Sequence, residues 1–529
     1  MDRREFLRRI GGGVAAMSLT GCARDRDRRM GPATSRRPNI VVILADDMGF
    51  SDIGCYGSEI ETPHLDRLAA EGVRFTQAYC AARCCPTRAA LLTGLYPHQA
   101  GMGRMVVRKG GEDREPGPYQ GYLNDRCVTL AEVLKSAGYR TYMAGKWHVG
   151  EKPEHWPRRR GFDRYFGLIS GASSYFEMLP QERDSRSMAL DDDPILPEGD
   201  DFYMTDAFTD YAVDFLKGHA GRDEPFLLYL AYTAPHWPLH ALPGEIEKYR
   251  GQYMMGWDEL RRRRHARQLE LGIVRPEWPL SPRDPDVPAW DTVEDKDRWD
   301  ARMAVYAAMI DRMDQGIGRV LRQLDRMGAA EHTLVLFLSD NGACHESVLS
   351  KGYHDPEAAP GSRRTFDAVE RPWANASNTP FRMFKHWVHE GGIATPLIAR
   401  WPAHIRSGGG LTDQVAHVID IMPTAVEAAQ ARYPAEFEDR PVASCEGISL
   451  LPVLAGGPSR ERPALYWEHM KNRAIREGKW KLVAKKDDTW ELYDLEADRT
   501  ELKDLSGENV EKARDLIARY DSWAARVGV

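Results

Sequence analysis

Residues 39–47 have the sequence NIVVILADD, in which six apolar side chains follow Asn39 without a break and end at Asp46 and Asp47. An apolar run of this length is typical of a strand in a parallel sheet, because helices cover both faces of such a sheet. The two carboxylates come directly after the strand. We therefore expect a central strand that carries two acidic groups at its carboxyl end.

Three more apolar runs end at polar side chains in the same way. They are residues 139–145, 226–232 and 333–339, which lead respectively into Lys146 with His148, into His236, and into Asp340 with Asn341. Ligands of open α/β sheets bind outside the carboxyl ends of the strands. The four runs therefore predict one crevice to which distant parts of the chain contribute.

The sequence divides into a larger and a smaller folded region. Strand-like runs alternate with amphipathic segments such as residues 302–326, which predicts an α/β fold with helices on both faces of a mostly parallel sheet. We assign residues 38–463 to this main domain. Short β-like runs and a helical pattern over 508–526 predict a small antiparallel sheet with a packed helix in residues 464–529.

The first 22 residues resemble an export signal. Arg3 and Arg4 precede an apolar stretch, residues 10–19, that is too short for the ~20 residues that span a bilayer, and paired arginines are typical of twin-arginine export. The sequence Leu-Thr-Gly-Cys ending at Cys22 resembles a bacterial lipobox. This predicts an exported lipoprotein, periplasmic or at the bacterial cell surface, with residues 23–37 as a linker between a lipid anchor in the membrane and the folded body. A basic tail without a targeting role is the alternative.

Composition excludes several classes of protein. Hydrophobic content of 42% and charged content of 29% are those of a soluble globular chain. A formal net charge of -7 provides no basic field for nucleic acid, so we expect no nucleic-acid partner. The eight cysteines form no CxxC pair, which argues against a zinc cluster or a dense disulfide framework.

Asp46, Asp47, Asp340 and Asn341 provide only oxygen ligands. Hard oxygen donors favour Ca²⁺, or less strongly Mg²⁺, over Zn²⁺, which takes His or Cys ligands. The alternative is that both pairs merely cap turns at the strand ends. The candidate metal site is therefore one for a single hard divalent cation.

Residues 84–94, CCPTRAALLTG, place Cys84 at the predicted start of a helix that has Pro86 in its first turn. Backbone N–H groups and the positive end of the helix dipole suit such a position to a tetrahedral anion. Arg88, one turn further on, adds a cationic fork. The alternative is a half-buried helix that carries inert thiols.

The motif Cys84, Pro86, Arg88, Thr93 and Gly94 resembles the signature of type I, formylglycine-dependent sulfatases, which are arylsulfatase-like members of the alkaline phosphatase superfamily. The resemblance extends through residues 45–49, 145–148, 234–236, 339–342 and 384–392. It implies an alkaline-phosphatase-like α/β fold and hydrolysis of sulfate esters. It also implies that a formylglycine-generating or sulfatase-maturing enzyme converts Cys84 to formylglycine, while Cys85 fills a variable position.

The resemblance assigns roles to individual residues. It implies a Ca²⁺ shell of Asp46, Asp47, Asp340, Asn341 and the formylglycine oxygen of residue 84, supported by Arg88. One oxygen of the formylglycine gem-diol attacks sulfur. By the same resemblance, His236 protonates the leaving oxygen, Lys146 and Lys385 hold the sulfate oxygens, and His148 deprotonates the second hydroxyl.

Two other functions remain open from the sequence: a phosphonate or phosphate monoester hydrolase of the same superfamily, and a non-catalytic lipoprotein that binds glycans. We expect a sulfated carbohydrate as the natural substrate, with aryl sulfates accepted in assays. Residues 241–298, rich in Pro, Arg and Trp, are predicted to form a lid or a substrate wall. The candidate substrate contacts are His240, His345, Glu346, Trp237, Trp257, Trp278, Trp290 and Trp467.

Overall fold

The computed structural model of the protein describes residues 36–197, 199, 201–349, 353–405 and 408–529. The predicted export signal, Cys22 and most of the predicted linker lie outside these residues. Residues Arg37–Val529 form one compact unit.

A mixed sheet lies at the centre of this unit, and its described strands run in the order β10-β2-β9-β8-β1-β7-β3-β4-β5-β6, with β11 beside β2. The strands are β1 (Asn39–Ala45), β2 (Val73–Tyr79), β3 (Arg140–Gly145), β4 (Arg164–Leu168), β5 (Met188–Leu190), β6 (Asp193–Ile195), β7 (Phe226–Ala231), β8 (Thr333–Ser339), β9 (Ala394–Arg400), β10 (Gly410–Thr412) and β11 (Ala416–His417). Strand β9 runs antiparallel to both of its neighbours, β2 and β8. Strand β5 runs antiparallel to its neighbours β4 and β6. The mostly parallel sheet predicted from the sequence is confirmed.

The four strands that carry the candidate site are neighbours and parallel. Strand β1 pairs with β8 so that Ala45 is level with Ser339, and with β7 so that Leu44 is level with Ala231. Strand β3 pairs with β7 on its other side, with Gly145 level with Ala231. The carboxyl ends of all four strands therefore meet at one edge of the sheet.

Helices cover both faces of the sheet. They are α1 (Pro63–Glu71), α2 (Cys84–Thr93), α3 (Leu130–Ser136), α4 (Met204–His219), α5 (Pro243–Tyr249), α6 (Gly256–Glu270), α7 (Lys296–Arg326), α8 (Glu370–Ser377), α9 (Glu390–Ile393), α10 (Ile421–Ala428), α11 (Leu451–Leu454) and α12 (Val510–Val527). The side chains of β1 alternate between two cores: Val42 packs on the side of α2, and Val41 packs on the side of α7. Both faces of the strand are buried, which explains its uninterrupted apolar sequence.

Helix α7 begins at Lys296, earlier than the start at Arg302 that periodicity predicts. The Asp295 side chain accepts a hydrogen bond from the Arg298 N–H at 3.2 Å and so caps the helix. The first turn is polar, and the apolar pattern therefore misses it.

The C-terminal region forms the predicted antiparallel sheet. Its strands are β14 (Leu465–His469), β15 (Asn472–Glu477), β16 (Trp480–Ala484) and β17 (Glu491–Asp494), and α12 follows them; a short ribbon of β12 (Glu436–Phe437) and β13 (Arg440–Pro441) precedes them. Buried ion pairs join this sheet to the main body, because Lys481 and Arg499 both contact Glu390 at 2.9 Å. Within the described ranges, no helix is long and apolar enough to cross a membrane.

Candidate active site

The polar groups at the ends of β1 and β8 converge as predicted. The Asp47 N–H donates to Asp340 Oδ1 at 3.2 Å, and Asn341 Nδ2 donates to Asp47 Oδ1 at 2.6 Å. Asp46, Asp47, Asp340 and Asn341 are all buried. Two strands that are far apart in sequence thus place their four oxygen-bearing side chains in one cluster.

The backbone at this edge adopts conformations that are rare for residues with a side chain. Asp47 has a φ of 65° and His148 a φ of 56°, in the left-handed region. Such conformations cost of order 1–3 kcal/mol and persist where the surroundings fix them. At Asp47 the fixing contacts come from Asn341 and from Lys385 Nζ, which lies 2.7 Å from the carboxylate.

The acidic cluster fits a hard divalent cation. Asp46 Oδ1 and Asn341 Oδ1 are buried and have no hydrogen-bond partner among the residues that the structure describes. A buried polar atom without a partner costs about 1–3 kcal/mol, which a bound cation removes. Burial, and then the charge of Asp340, raises the pKa of Asp46 well above its usual value, and burial also raises the pKa of Asp340. These oxygens suit Ca²⁺ or Mg²⁺ better than a soft metal.

Arg88 lies beneath the cluster and is fully buried. Its Nε and one terminal nitrogen donate to Asp340 Oδ2 at 3.2 and 2.8 Å, and the other terminal nitrogen donates to the Lys146 carbonyl at 2.9 Å. Asp46 Oδ2 lies 3.5 Å away. Arg88 therefore orients Asp340 and offsets part of the acidic charge.

Two lysines complete the charge balance. Lys146 Nζ lies 2.5 Å from Asp46 Oδ2, and Lys385 Nζ lies 2.7 Å from the carboxylate of Asp47. Burial lowers the pKa of Lys385, but the charge of Asp47 outweighs this effect and the net pKa is well above the usual value. Both ammonium groups are buried beside the acidic cluster.

Cys84 is the first residue of α2 and is buried. A hydrogen bond from the Cys85 thiol, and then the charge of Lys146, outweigh the effect of burial and lower the pKa of Cys84 well below the usual value. Burial lowers the pKa of His148 to about 4, so the imidazole is neutral at neutral pH. The predicted helix start is confirmed, and residue 84 faces both a cation and a neutral base.

Cys85 has contacts that the motif does not predict. Its Sγ lies 3.4 Å from His148 Nε2 and 3.7 Å from the sulfur of Met105. We interpreted Cys85 from the sequence as a residue in a variable position, whereas the structure places it against the imidazole. Its position beside Cys84 is the one signal that pointed to this contact.

His236 follows β7 and faces the acidic cluster. Its Nδ1 donates to the Trp237 carbonyl at 2.6 Å, and this bond directs Nε2 toward Asp47 Oδ2, 3.3 Å away. Burial, and then the positive charges of Lys385 and Lys146, lowers the pKa of His236 well below the usual value. The structure thus brings every predicted site residue to one edge of the sheet.

A cavity of about 380 Å³ opens onto this edge, within the lower part of the ~300–1,000 Å³ range of small-ligand sites. Cys84, His148, His236 and Lys385 line it. Two candidate substrate contacts, Trp237 and Glu346, line it as well, with Trp237 Nε1 donating to Glu346 Oε2 at 3.2 Å. The sequence analysis missed the remaining lining residues, which are Arg83, Met105, Val106, Arg108, Glu151, Gly171, Ala172, Arg186 and Ser347.

Several predicted substrate contacts are wrong. Four of the tryptophans are buried in the cores, namely Trp257, Trp278, Trp290 and Trp467. Trp257 and Trp290 both pack against Trp373. These rings provide core packing and do not line the cavity in the described part of the chain.

The predictions for two histidines and for the insertion are also wrong. His240 is buried and bonds through Nε2 to the Thr365 carbonyl at 2.8 Å, and His345 packs on Phe384 and Trp387. Residues 241–298 contain α5 and α6, whose apolar side chains join the core, and none of them lines the cavity. The insertion is therefore neither a lid nor a wall of this cavity.

Comparison with known proteins gives concordant results. A family model described as Sulfatase matches residues 38–431, and a model described as N-sulphoglucosamine sulphohydrolase, C-terminal, matches residues 381–520. A sulfatase of Schizosaccharomyces pombe is 37% identical over 85% of this chain and 86% of that protein. An arylsulfatase of Klebsiella aerogenes is 36% identical over 79% of this chain and 92% of that protein.

A solved structure shares the fold. Ps i-CgsB in complex with k-i-k-neocarrahexaose superposes with a TM-score of 0.69 at 25% identity, over 92% of this chain and 93% of that one. The family match covers most of the chain, and two of the relatives exceed 30% identity over most of both sequences. The chain therefore belongs to the sulfatase family of the alkaline phosphatase superfamily and is a sulfuric ester hydrolase.

Proposed function

We propose that this protein hydrolyses a sulfated carbohydrate, that residue 84 acts as formylglycine made from Cys84, and that one Ca²⁺ binds beside it. The observation that carries the proposal is that residue 84 and Lys385 line one cavity of a sulfatase-family chain, while Lys385 also contacts the acidic cluster in which the oxygens of Asp46 and Asn341 are buried without a partner. We expect the same cavity to accept aryl sulfates as assay substrates.

Asp46, Asp47, Asp340 and Asn341 would hold the cation together with residue 84. When bound, Ca²⁺ supplies Lewis-acid activation and neutralises charge on the sulfate. The formylglycine hydrate supplies a nucleophilic hydroxyl and a second hydroxyl that a Ser or Cys nucleophile lacks. Both hydroxyls arise only after a formylglycine-generating or sulfatase-maturing enzyme has converted Cys84.

Lys146 and Lys385 bind the sulfate oxygens. Each ammonium group lies within 2.7 Å of an aspartate and is buried, so its position is fixed before substrate arrives. Donors that are fixed in advance stabilise charge that develops in the transition state without further reorganisation. Arg88 keeps Asp340 in place beneath them.

His236 gives its Nε2 proton to the ester oxygen as the S–O bond breaks, so the alcohol leaves neutral. Its Nδ1 bond to the Trp237 carbonyl keeps Nε2 directed into the site. The positive charges of Lys385 and Lys146 lower the pKa of His236 before substrate binds. An anionic sulfate beside these lysines opposes that effect, so substrate binding favours the protonated acid.

His148 accepts the proton of the second hydroxyl of residue 84, which releases sulfate and restores the aldehyde. Burial keeps the imidazole neutral, with a pKa of about 4, so it has a lone pair available for a proton. The ring packs closely on Gly171, where a Cβ would lie 2.5 Å from two ring atoms. Gly171 therefore leaves the space that the imidazole occupies.

The cavity supports a ring-bearing substrate. Trp237 provides an aromatic face, fixed by its bond to Glu346 and by packing on Phe366 at 5.8 Å between ring centroids. An aromatic face packs against either an arene or the apolar face of a sugar. The solved complex of Ps i-CgsB contains a neocarrahexaose, and this likeness supports the choice of a carbohydrate here.

We also propose that the chain is exported and anchored in the membrane by lipid at Cys22, on the motif alone. Fractionation of cells that express the full chain or Cys22→Ala tests this. The full chain should sediment with membranes and the variant should not, and recovery of the full chain in the soluble fraction contradicts the proposal.

The decisive experiment is mass spectrometry of the peptide that contains residue 84, from protein made with a maturation enzyme, paired with turnover of 4-nitrophenyl sulfate. We expect the mass of formylglycine and turnover that Cys84→Ala abolishes. A persistent thiol together with full turnover would show that formylglycine is not the nucleophile. Faster turnover of 4-nitrophenyl phosphate than of the sulfate would identify a phosphate monoester hydrolase instead.

A further inference from the structure

Two arginines of the cavity have no role in the proposed mechanism. Arg108 and Arg186, here called the arginine wall, line the same cavity as Cys84, His148 and His236. Neither guanidinium makes a hydrogen bond or an ion pair with any residue in the described part of the chain, and Arg186 Nε is buried without a partner. Arg186 is partly buried and Arg108 is exposed. A partly buried guanidinium such as that of Arg186 normally has a partner, because removing it from water is costly.

The two carboxylates whose charges act on Arg186, Glu151 and Glu182, are held by other donors. Glu151 accepts a hydrogen bond from the Lys109 N–H at 2.9 Å. Glu182 accepts from the Ser173 hydroxyl at 2.8 Å and from the Ser174 N–H at 3.3 Å. The two acids reduce the positive potential at Arg186 but do not form an ion pair with it.

The electrostatics of Arg186 agree with this geometry. Burial lowers its pKa, Glu151 and Glu182 oppose the shift, and Arg108 adds to it. Guanidinium remains protonated at any physiological pH, so a lowered pKa means an under-compensated positive charge. Arg108 places a second positive charge on the same side of the cavity, and an anion that contacts both guanidiniums reduces their repulsion.

The other cations of the cavity are already paired. Arg83 contacts Glu346 at 2.8 Å, and Lys385 contacts Asp47 at 2.7 Å. Among the described residues, the lining cations without an ion pair are therefore those of the arginine wall, where Arg186 is partly buried and Arg108 is exposed.

We propose that Arg108 and Arg186 form a second anion subsite, so the preferred substrate carries a second sulfate or a carboxylate near the ester that is cleaved. This inference rests on the proposed function, since it assigns a substrate class to the same cavity. The planar fork of guanidinium matches the oxygens of either group.

The test is calorimetric binding to the wild-type chain of three non-hydrolysable probes that share one sulfonate. Benzene-1,3-disulfonate and 3-sulfobenzoate carry a second anion, and 3-sulfobenzamide carries a neutral group of similar shape. We expect each dianion to bind at least about tenfold more tightly than the amide, as a charge-assisted pair predicts. A preference for the disulfonate identifies a second sulfate, and a preference for the carboxylate identifies an acidic sugar.

The variants Arg186→Gln and Arg108→Gln should each reduce this preference, and the double variant should bring it to within about twofold. Arg186→Lys keeps the charge and should retain part of the preference. The matched control is Arg159→Gln, because the Arg159 side chain is 61% exposed and lies outside the cavity. Thermal melting confirms that each variant is folded.

Equal binding of the dianions and the amide to the wild type overturns the subsite, as does no binding of either dianion or a preference that survives in the double variant. Turnover of 4-nitrophenyl sulfate reports separately on the proposed function. A dianion preference without any sulfate turnover would refute the proposed function and leave the subsite in place. Turnover of 4-nitrophenyl sulfate without a dianion preference would refute the subsite and leave the proposed function in place.

Discussion

Replacing Arg88 by methionine tests the charge balance beneath the site. The guanidinium is fully buried and makes three hydrogen bonds, two to Asp340 and one to the Lys146 carbonyl. Methionine fills similar space but leaves Asp340 as an uncompensated buried charge, and breaking a buried pair in this way costs about 3–5 kcal/mol. Unfolding entropy of about 2.1 cal/mol/K per residue gives roughly 1 kcal/mol/K for the unit Arg37–Val529. The expected fall in Tm is therefore about 3–5 °C.

Differential scanning calorimetry of the wild type, Arg88→Met and Arg88→Lys measures this. Lysine keeps the positive charge but cannot make the forked hydrogen bonds of guanidinium, so we expect the Tm of Arg88→Lys to lie between those of the wild type and Arg88→Met. Arg158→Met is the matched control, since its side chain is 38% exposed and its ion pairs lie at the surface. The control should shift Tm by less than about 1 °C. A fall of less than 1 °C in Arg88→Met would refute the reasoning, because the buried pair would then contribute nothing net.

Three further predictions concern the metal, the acid and the base. Ca²⁺ at a hundredfold excess over its Kd should stabilise the protein by about 2.7 kcal/mol in a thermal melt, and an equal shift in Asp46→Ala would contradict the assigned ligand. His236→Gln should lower kcat for a sugar sulfate by about 10²–10⁴ but lower it less for 4-nitrophenyl sulfate, whose leaving group needs less protonation; equal losses would contradict the acid role. Burial holds the pKa of His148 at about 4 against 6.5 in the unfolded chain, so its stabilising effect is complete above pH 6.5 and is lost as pH falls toward 4. The Tm difference between wild type and His148→Gln should shrink over that window, and a constant difference would contradict the assignment.

The sequence was sufficient to predict that the four acidic and amide side chains cluster, because strand geometry does most of the positioning. Four apolar runs can be identified by their length and by the polar residues at their ends, and parallel strands place these ends at one edge. The register then makes Ala45 level with Ser339, so Asp46 and Asp340 become neighbours without any information from loops. Helix α2 was predictable for a similar reason, because Pro86 marks its first turn.

The walls of the cavity were not predictable, because they come from segments without periodicity. Arg108 precedes β3 in the sequence and Arg186 follows it, and both lie in segments without regular secondary structure. Arg186 has no ion-pair partner because Glu151 and Glu182 make hydrogen bonds to other groups. Burial of the tryptophans depends on packing between helices, which composition does not specify. The sequence does not distinguish Trp257 from Trp237, but Trp257 is buried in the core and Trp237 lines the cavity.

Charge links the proposed metal, the arginine wall and the competing phosphatase function. The site contains three buried carboxylates and three buried cations, namely Asp46, Asp47 and Asp340 with Arg88, Lys146 and Lys385. With a divalent cation bound as proposed, a monoanionic sulfate leaves one positive charge uncompensated among these groups, and a phosphate dianion neutralises it. A second anion on the substrate instead compensates Arg108 and Arg186, which are additional to this count. Position separates the two, because a phosphate places both charges beside Lys146 and Lys385, whereas a second anion contacts Arg108 and Arg186. The double arginine variant should therefore weaken binding of 3-sulfobenzoate and leave inhibition by inorganic phosphate unchanged; weakening of both would mean that the arginines act only through the general field of the cavity.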